Sequence, residues 1–252
     1  MCLRLAAPID PLYNPLVEAT TSSPDIMLLR VSEEECAALV AAKEVEAALL
    51  SPLSYGRATE VADFWILPGP ALALEGYTER VWLYFRSDLH TIERCAVPSL
   101  QHFLTQALRL LLMEAYDIEP SYAERPATSV HESLRHADAV LSWYEDIPDL
   151  SRLDVGEEWF AAFAHALPLA FWSCRAEVAS PKLLRSINDL ARPTLPESET
   201  ITESSPYRQG AIHWRWSATI ANAVHETLLL LYYHGLVPCV SEVKLWDGVS
   251  LS

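Results

Sequence analysis

ADAVLSWYEDIPDLSRLDVGEEWFAAFAHALPLAFW, residues 137–172, is the stretch that decides the fold. Residues 139–143 form a short apolar run, which predicts a buried strand. The polar turn Tyr144-Glu145-Asp146 follows this run, and Pro148 excludes a long helix directly after it. The first part of the stretch is therefore predicted to be a strand that ends in an acidic, solvent-facing loop.

The second part of the stretch predicts a helix and a further strand. Asp154 and the acids of residues 156–158 suit the positive N-terminal end of a helix. Trp159 and Phe163 recur at helical spacing before Pro168, where the helix is expected to end. Residues 169–174 are apolar and predict the next strand.

The N-terminal part of the chain repeats this alternation of strands and helices. Residues 4–7, 25–30 and 45–50 are strand candidates, and a capping-box pattern at Ser32 and Glu35 opens a helix that runs to Lys43. Such an order indicates an α/β lobe with mainly parallel pairing. Further strands are predicted at residues 65–73, 80–86, 95–97, 120–123 and 212–216, and further helices at residues 103–116, 130–136, 186–190 and 218–233.

Several short motifs resemble the chorismate dehydratase family of futalosine-route menaquinone biosynthesis. The motifs A-D-A-x-L and L-D-x-G-E-x-W are matched at residues 137–141 and 153–159. Of L-P-x-x-F-x-x-W, the part L-P-x-x-F is matched at residues 167–171, with Trp172 directly after it, and G-L-V-P at residues 235–238 is similar to the family's G-L-I-P. The resemblance extends from Arg4 to Trp246. It implies an α/β, two-lobed type 2 periplasmic-binding-protein-like fold with a ligand cleft between the lobes. The expected lobes are residues 1–86 with 175–252, and residues 87–174.

The resemblance also implies a set of ligand-binding residues at the carboxyl ends of strands, where α/β sheets bind ligands. Glu145 and His102 are the candidate proton acceptors. The candidate substrate-binding residues are Asp10, Tyr13, Ser51, Ser54, Tyr55, Ser99, Gln101 and Tyr144.

The loop of residues 98–104 leaves two interpretations open. In the family it resembles D-x-x-S-R-T-S, whose hydroxyls and amides at a helix N-terminus hold carboxylates. Here Leu100, Phe103 and Leu104 stand where hydroxyls are expected. Either Ser99 and His102 still face ligand, or the apolar residues are simply core and this anion site is lost.

Charge and composition exclude several classes of partner. A net charge of −16 disfavours nucleic acid and anionic membrane surfaces, because both require a basic footprint. No apolar run approaches the roughly 18 residues of a membrane span, and the first residues make a poor secretory signal, so a cytoplasmic location is expected. Five scattered cysteines without a C-x-x-C pair and eight scattered histidines predict neither a disulfide framework nor a metal site. No cofactor is expected.

The first functional hypothesis is the family's own reaction, elimination of water from chorismate to give 3-[(1-carboxyvinyl)oxy]benzoate. A non-catalytic binding protein for a small carboxylate or aromatic ligand is the alternative, with Tyr13, Tyr55, Trp143 and Tyr144 forming its pocket. The related naphthoate synthase of the same pathway is a third hypothesis. In each case the expected partner is a small-molecule carboxylate, and a homodimer is compatible with all three.

Overall fold

A computed structural model describes residues 2–18, 25–125, 129–203 and 208–246. The chain divides into two compact units. Unit 1 comprises Met1–Ala73, Leu167–Glu199 and Ile212–Ser252, and unit 2 comprises Leu74–Ala166 and Thr200–Ala211. The chain therefore passes from one unit to the other four times.

A seven-stranded sheet has the order β11-β12-β4-β10-β3-β1-β2. Strands β1, β2 and β3 are parallel to one another, and β10 runs antiparallel to β3. The apolar residues of β3 are all buried, as expected for a strand that is covered on both faces. The strands of this sheet are β1 (Leu3–Pro8), β2 (Ile26–Val31), β3 (Ala47–Leu50), β4 (Phe64–Gly76), β10 (Leu167–Arg175), β11 (Ser198–Thr202) and β12 (Gln209–Arg215).

The α-helices in the described part of unit 1 are α1 (Glu33–Ala41), α2 (Pro52–Ala58), α6 (Pro181–Leu190) and α7 (Ala218–Tyr233). The predicted capping box at the start of α1 is present, with Ser32 accepting from the Glu35 amide and the Glu35 carboxylate accepting from the Ser32 amide. Helix α7 packs against α2 and β10. The buried aromatic residues Phe171 and Trp172 of β10 lie in the core of this unit.

Unit 2 is built on a five-stranded sheet of order β7-β6-β8-β5-β9. Strands β6, β7 and β8 are parallel, whereas β5 is antiparallel to both β8 and β9. Helix α3 packs against α5. The bounds are β5 (Trp82–Phe85), β6 (Arg94–Val97), β7 (Ser121–Glu124), β8 (Ala139–Ser142), β9 (Arg152–Asp154), α3 (Phe103–Tyr116), α4 (Val130–Ser133) and α5 (Val155–Phe163).

The boundaries of the units differ from those expected for the lobes. Strand β5 was expected in the first lobe, yet it pairs with β8 and β9 in the sheet of unit 2. Strand β10 was expected in the second lobe, yet it pairs with β3 of unit 1. Hydrogen-bonded pairing between distant strands therefore sets these boundaries at 73/74 and 166/167 rather than at 86/87 and 174/175.

Candidate functional site

A pocket in unit 2 lies at the carboxyl ends of three parallel strands. Because β6, β7 and β8 are parallel, Pro98, Arg125 and Trp143 emerge at one edge of the sheet. The pocket is open to solvent and small, with a cavity volume of about 10 Å³. Its walls are the ends of β6 and β8, Arg125, and the first turn of α4. This is the position at which open α/β sheets bind ligands.

Serine hydroxyls line this pocket beside Arg125. Ser133 and Ser142 are buried, with 8% and 4% of their surface exposed, and Ser129 is partly buried. The Ser142 oxygen accepts from the Tyr144 amide at 3.3 Å, and the Ser129 oxygen accepts from the Glu132 amide at 3.4 Å. Since both oxygens already accept, each O–H proton is left to be donated.

Glu145 borders the same pocket through the start of α4. Its Oε2 accepts from the amide of Val130, a pocket residue, at 3.4 Å. Its backbone carbonyl accepts from the buried Tyr84 hydroxyl at 2.7 Å, which fixes the turn after β8. A carboxylate is thus held next to a pocket-lining residue by a backbone amide, and a carboxylate of this kind can accept a proton.

His102 caps helix α3 and stacks on an aromatic side chain from the neighbouring loop. Its Nδ1 accepts from the Leu104 amide at 3.1 Å, so in the neutral ring the proton is on Nε2. The ring is 4.6 Å from that of Trp143 with an interplanar angle of 27°, and Trp143 lies 5.3 Å from Tyr144. Two of the four residues predicted to form an aromatic pocket, Trp143 and Tyr144, therefore form one row with His102.

The rest of the loop before α3 folds back on itself. The Ser99 hydroxyl accepts from the Gln101 amide at 3.3 Å, and the Ser99 carbonyl accepts from the Thr105 hydroxyl at 2.7 Å. Phe103 and Leu104 are fully buried. Phe103 and Leu104 are therefore core residues, and the Ser99 hydroxyl is hydrogen-bonded within the loop.

In unit 1, Asp10 and Tyr13 follow the carboxyl end of β1. The Asp10 carboxylate caps a short 3-10 helix, Pro11–Leu16, by accepting from the Leu12 amide at 2.8 Å. Tyr13 lies inside that helix and is 1% exposed. Asp10 therefore has a local structural role at this strand end, beside any role in binding.

Ser51 and Ser54 follow the carboxyl end of β3 and begin α2. The Ser51 oxygen accepts from the Ser54 amide at 3.2 Å, and its hydroxyl donates to the carboxylate of Glu33. Glu33 is 7% exposed and opens helix α1. This buried acid was not identified from the sequence as a candidate site residue. The only signal for it was its position after a predicted strand and before the Glu34-Glu35 pair.

Tyr55 was predicted to bind substrate, and the structure places it in the core. It is fully buried, and its hydroxyl donates to the backbone carbonyl of Glu242 at 2.9 Å. Its ring meets that of Phe171 edge-on at 5.5 Å. Burial raises its pKa to about 12, so the phenol stays neutral. These contacts give Tyr55 a structural role.

Comparison with known proteins identifies the family. A family model described as menaquinone biosynthesis matches residues 6–203. The chain belongs to the menaquinone biosynthesis family. No curated protein sequence matches the chain significantly.

The solved structures similar to this menaquinone biosynthesis family member show its fold. Protein AF1704 from Archaeoglobus fulgidus is 15% identical, with a TM-score of 0.62 over 93% of this chain and 98% of that one. The aliphatic sulphonate binding protein SsuA from Escherichia coli is 11% identical, with a TM-score of 0.54 over 100% of this chain and 94% of that one. SsuA from Xanthomonas axonopodis, solved with bound MOPS, is 13% identical, with a TM-score of 0.52 over 97% of both chains. The expected type 2 periplasmic-binding-protein fold is thereby confirmed.

The described residues of this family member contain neither a membrane-spanning helix nor a metal-binding cluster. No helix among them combines the length and apolar character needed to cross a membrane. No group of three or more His, Cys, Asp or Glu side chains in the same residues has an arrangement that could hold a metal ion.

Proposed function

We propose that this protein is a chorismate dehydratase-like lyase of menaquinone biosynthesis. The observation that carries the proposal is membership of the menaquinone biosynthesis family over residues 6–203. The residue resemblance to chorismate dehydratases, found on motifs spread from Arg4 to Trp246, supports the choice of this reaction within the family. The product would be 3-[(1-carboxyvinyl)oxy]benzoate.

The chemistry of unit 2 supports this reaction. Elimination of water requires a base that takes a ring proton, while the C–O bond to the ring hydroxyl breaks and that oxygen leaves as water with one further proton. Glu145 is our candidate for the base, because its carboxylate accepts from the amide of Val130, a residue that lines the pocket. His102, with its proton on Nε2, is better suited to donating than to accepting. The chorismate carboxylates would be bound by hydroxyls and a guanidinium.

The decisive assay combines turnover and binding. The pure protein is incubated with chorismate, and the absorbance of the aromatic product and the thermal shift are both followed. Turnover supports the proposal. If chorismate produces no turnover and no thermal shift, chorismate is excluded as the ligand.

A paired substitution tests the role of Glu145. Glu145→Gln keeps an oxygen for the Val130 amide but cannot take a proton, so we expect turnover to fall by about 100-fold or more with chorismate affinity little changed. Asp146→Asn is the control, since the neighbouring Asp146 is exposed and pairs with Arg152. Full activity of Glu145→Gln would place the base elsewhere.

A non-catalytic binding protein for a small carboxylate or aromatic ligand is the second candidate. Two observations favour it: the Nδ1 of His102 is occupied by a backbone amide, and solved proteins of the same fold include binding proteins such as SsuA. A thermal shift by chorismate without formation of the aromatic product would support this candidate.

A further inference from the structure

We propose that Arg125, together with the hydroxyls of Ser133 and Ser142, forms the carboxylate-binding subsite of unit 2. The inference rests on the proposed function, because it names the residues that would hold one carboxylate of the substrate. Arg125 belongs to none of the motifs that resemble the chorismate dehydratases. It is brought to the pocket by β7, whose pairing with β6 places the residue after Glu124 beside Val97 and Pro98.

Within the described part of unit 2, Arg125 differs from several other arginines in its lack of an acidic partner. Three arginines of unit 2 are paired with acids: Arg86 with Asp88 and Asp138, Arg152 with Asp146, and Arg208 with Glu157 and Glu203. Arg109 instead lies over the ring of Tyr122. Arg125 has no such carboxylate partner among the described residues, although it is half-buried at a pocket wall. A guanidinium presents a planar fork of N–H donors that matches a carboxylate. An incoming anion would complete its pairing.

The hydroxyls supply the second step. Ser133 and Ser142 are at least nine-tenths buried and line the same pocket as Arg125. The Ser142 oxygen already accepts from the Tyr144 amide, so its proton is available for an anion. A guanidinium and two hydroxyl donors around one pocket suit the two oxygens of a carboxylate.

The same arrangement accounts for the changed loop before α3. In the resembling family, hydroxyls of that loop hold carboxylates, whereas here Phe103 and Leu104 at the corresponding positions are fully buried. Arg125 would supply a carboxylate donor at the adjacent strand end, after β7. Glu145 opposes this binding, since its carboxylate lies at the Val130 amide on the pocket wall. Arg125 would offset that charge.

The test uses the full chain and two probes, chorismate and benzoate, in isothermal titration calorimetry. Arg125→Gln should lower the affinity for both probes about 10- to 100-fold, because a hydrogen-bonded charge is lost. Arg125→Lys should recover only part of the affinity, since lysine lacks the fork. Arg135→Gln is the matched control, with the same change of charge at an exposed position outside the pocket, and it should bind like the wild type.

The two probes separate this inference from the proposed function. If benzoate binds and Arg125→Gln abolishes that binding, the subsite stands even where chorismate is not turned over. If chorismate is turned over and bound equally by wild type and Arg125→Gln, the subsite is refuted while the dehydratase function holds. Failure of the wild type to bind either probe, or preferential binding of inorganic phosphate over benzoate, would also overturn the carboxylate assignment.

Discussion

Asp154 provides the sharpest test of how unit 2 is held together. This fully buried carboxylate belongs to the last residue of β9 and caps α5, accepting from the Glu157 amide at 3.0 Å. Its other oxygen accepts from the amides of Thr78 at 3.0 Å and Glu79 at 2.7 Å. Glu79 has a left-handed backbone conformation, with φ of 56°, which residues other than glycine rarely adopt. The Asp154 carboxylate therefore stabilises this turn.

We expect Asp154→Asn to destabilise the protein at neutral pH. The amide has a single acceptor oxygen, so it can serve either the Glu157 amide or the pair from Thr78 and Glu79. At least one buried N–H then lacks a partner, and each such group costs about 1–3 kcal/mol. A loss of about 2 kcal/mol in unfolding free energy at pH 7.5 is expected. Asp149→Asn, at an exposed position, is the control and should change it by less than about 0.5 kcal/mol.

The pH dependence gives the prediction its sign. Burial raises the Asp154 pKa from 3.8 to about 6, and the backbone hydrogen bonds offset only part of that effect. The native state therefore binds the extra proton between these pH values, and this group's contribution to stability falls as pH rises through about 6. When the pH is lowered from 7.5 to 4.5, Asp154 adds about 2 kcal/mol to the unfolding free energy of the wild type. The Asp154→Asn variant gains nothing at this position, because asparagine does not titrate.

Urea unfolding at several pH values, followed by both tryptophan fluorescence and circular dichroism, measures the difference. The gap between wild type and Asp154→Asn should widen as the pH is lowered, and the difference cancels the other titrating acids. A gap that instead widens with rising pH would mean that the amide hydrogen bonds dominate and that the pKa is depressed.

Two further predictions concern the packing of each unit. Tyr55→Phe should lower the unfolding free energy by about 1–2 kcal/mol, because the Glu242 carbonyl loses its hydrogen-bond donor. The affinity for chorismate, measured by calorimetry, should stay unchanged. A loss of affinity without a loss of stability would instead support the ligand-binding role first predicted for Tyr55. Gly210→Ala should cost more than about 3 kcal/mol, since a Cβ there would collide with the carbonyl oxygens of Glu75 and Tyr77, and a melting temperature near that of the wild type would contradict this packing.

Helices and caps were the features most accessible from sequence. Helices α3 and α7 have the predicted bounds, residues 103–116 and 218–233, and the capping box at Ser32 is present. These features depend on side-chain periodicity and on hydrogen bonds between residues three apart. The strand at residues 139–142 and the helix capped by Asp154 were equally local, and both are confirmed.

Features set by distant contacts were not predicted. Pro168 was expected to end a helix, but it lies within β10, whose start at Leu167 follows from pairing in the sheet of unit 1. Tyr55 matched a motif letter, yet its hydroxyl partner is 187 residues away in the chain. Arg125 was overlooked because nothing in its own neighbourhood marks it, and only the parallel pairing of β7 with β6 brings it to a pocket.

The net charge of −16 makes the proposed Arg125 subsite a local exception to a repulsive field. At physiological ionic strength, charges beyond about 8 Å are largely screened, so an anion that reaches the pocket responds mainly to Arg125, Glu145 and the serine donors. Added salt then has two opposing effects: it weakens the pair with Arg125 and also reduces the long-range repulsion that slows approach. Chorismate affinity should therefore depend less on salt than a single ion pair would require, and Arg125→Gln, which retains only the repulsion, should bind more tightly as salt increases.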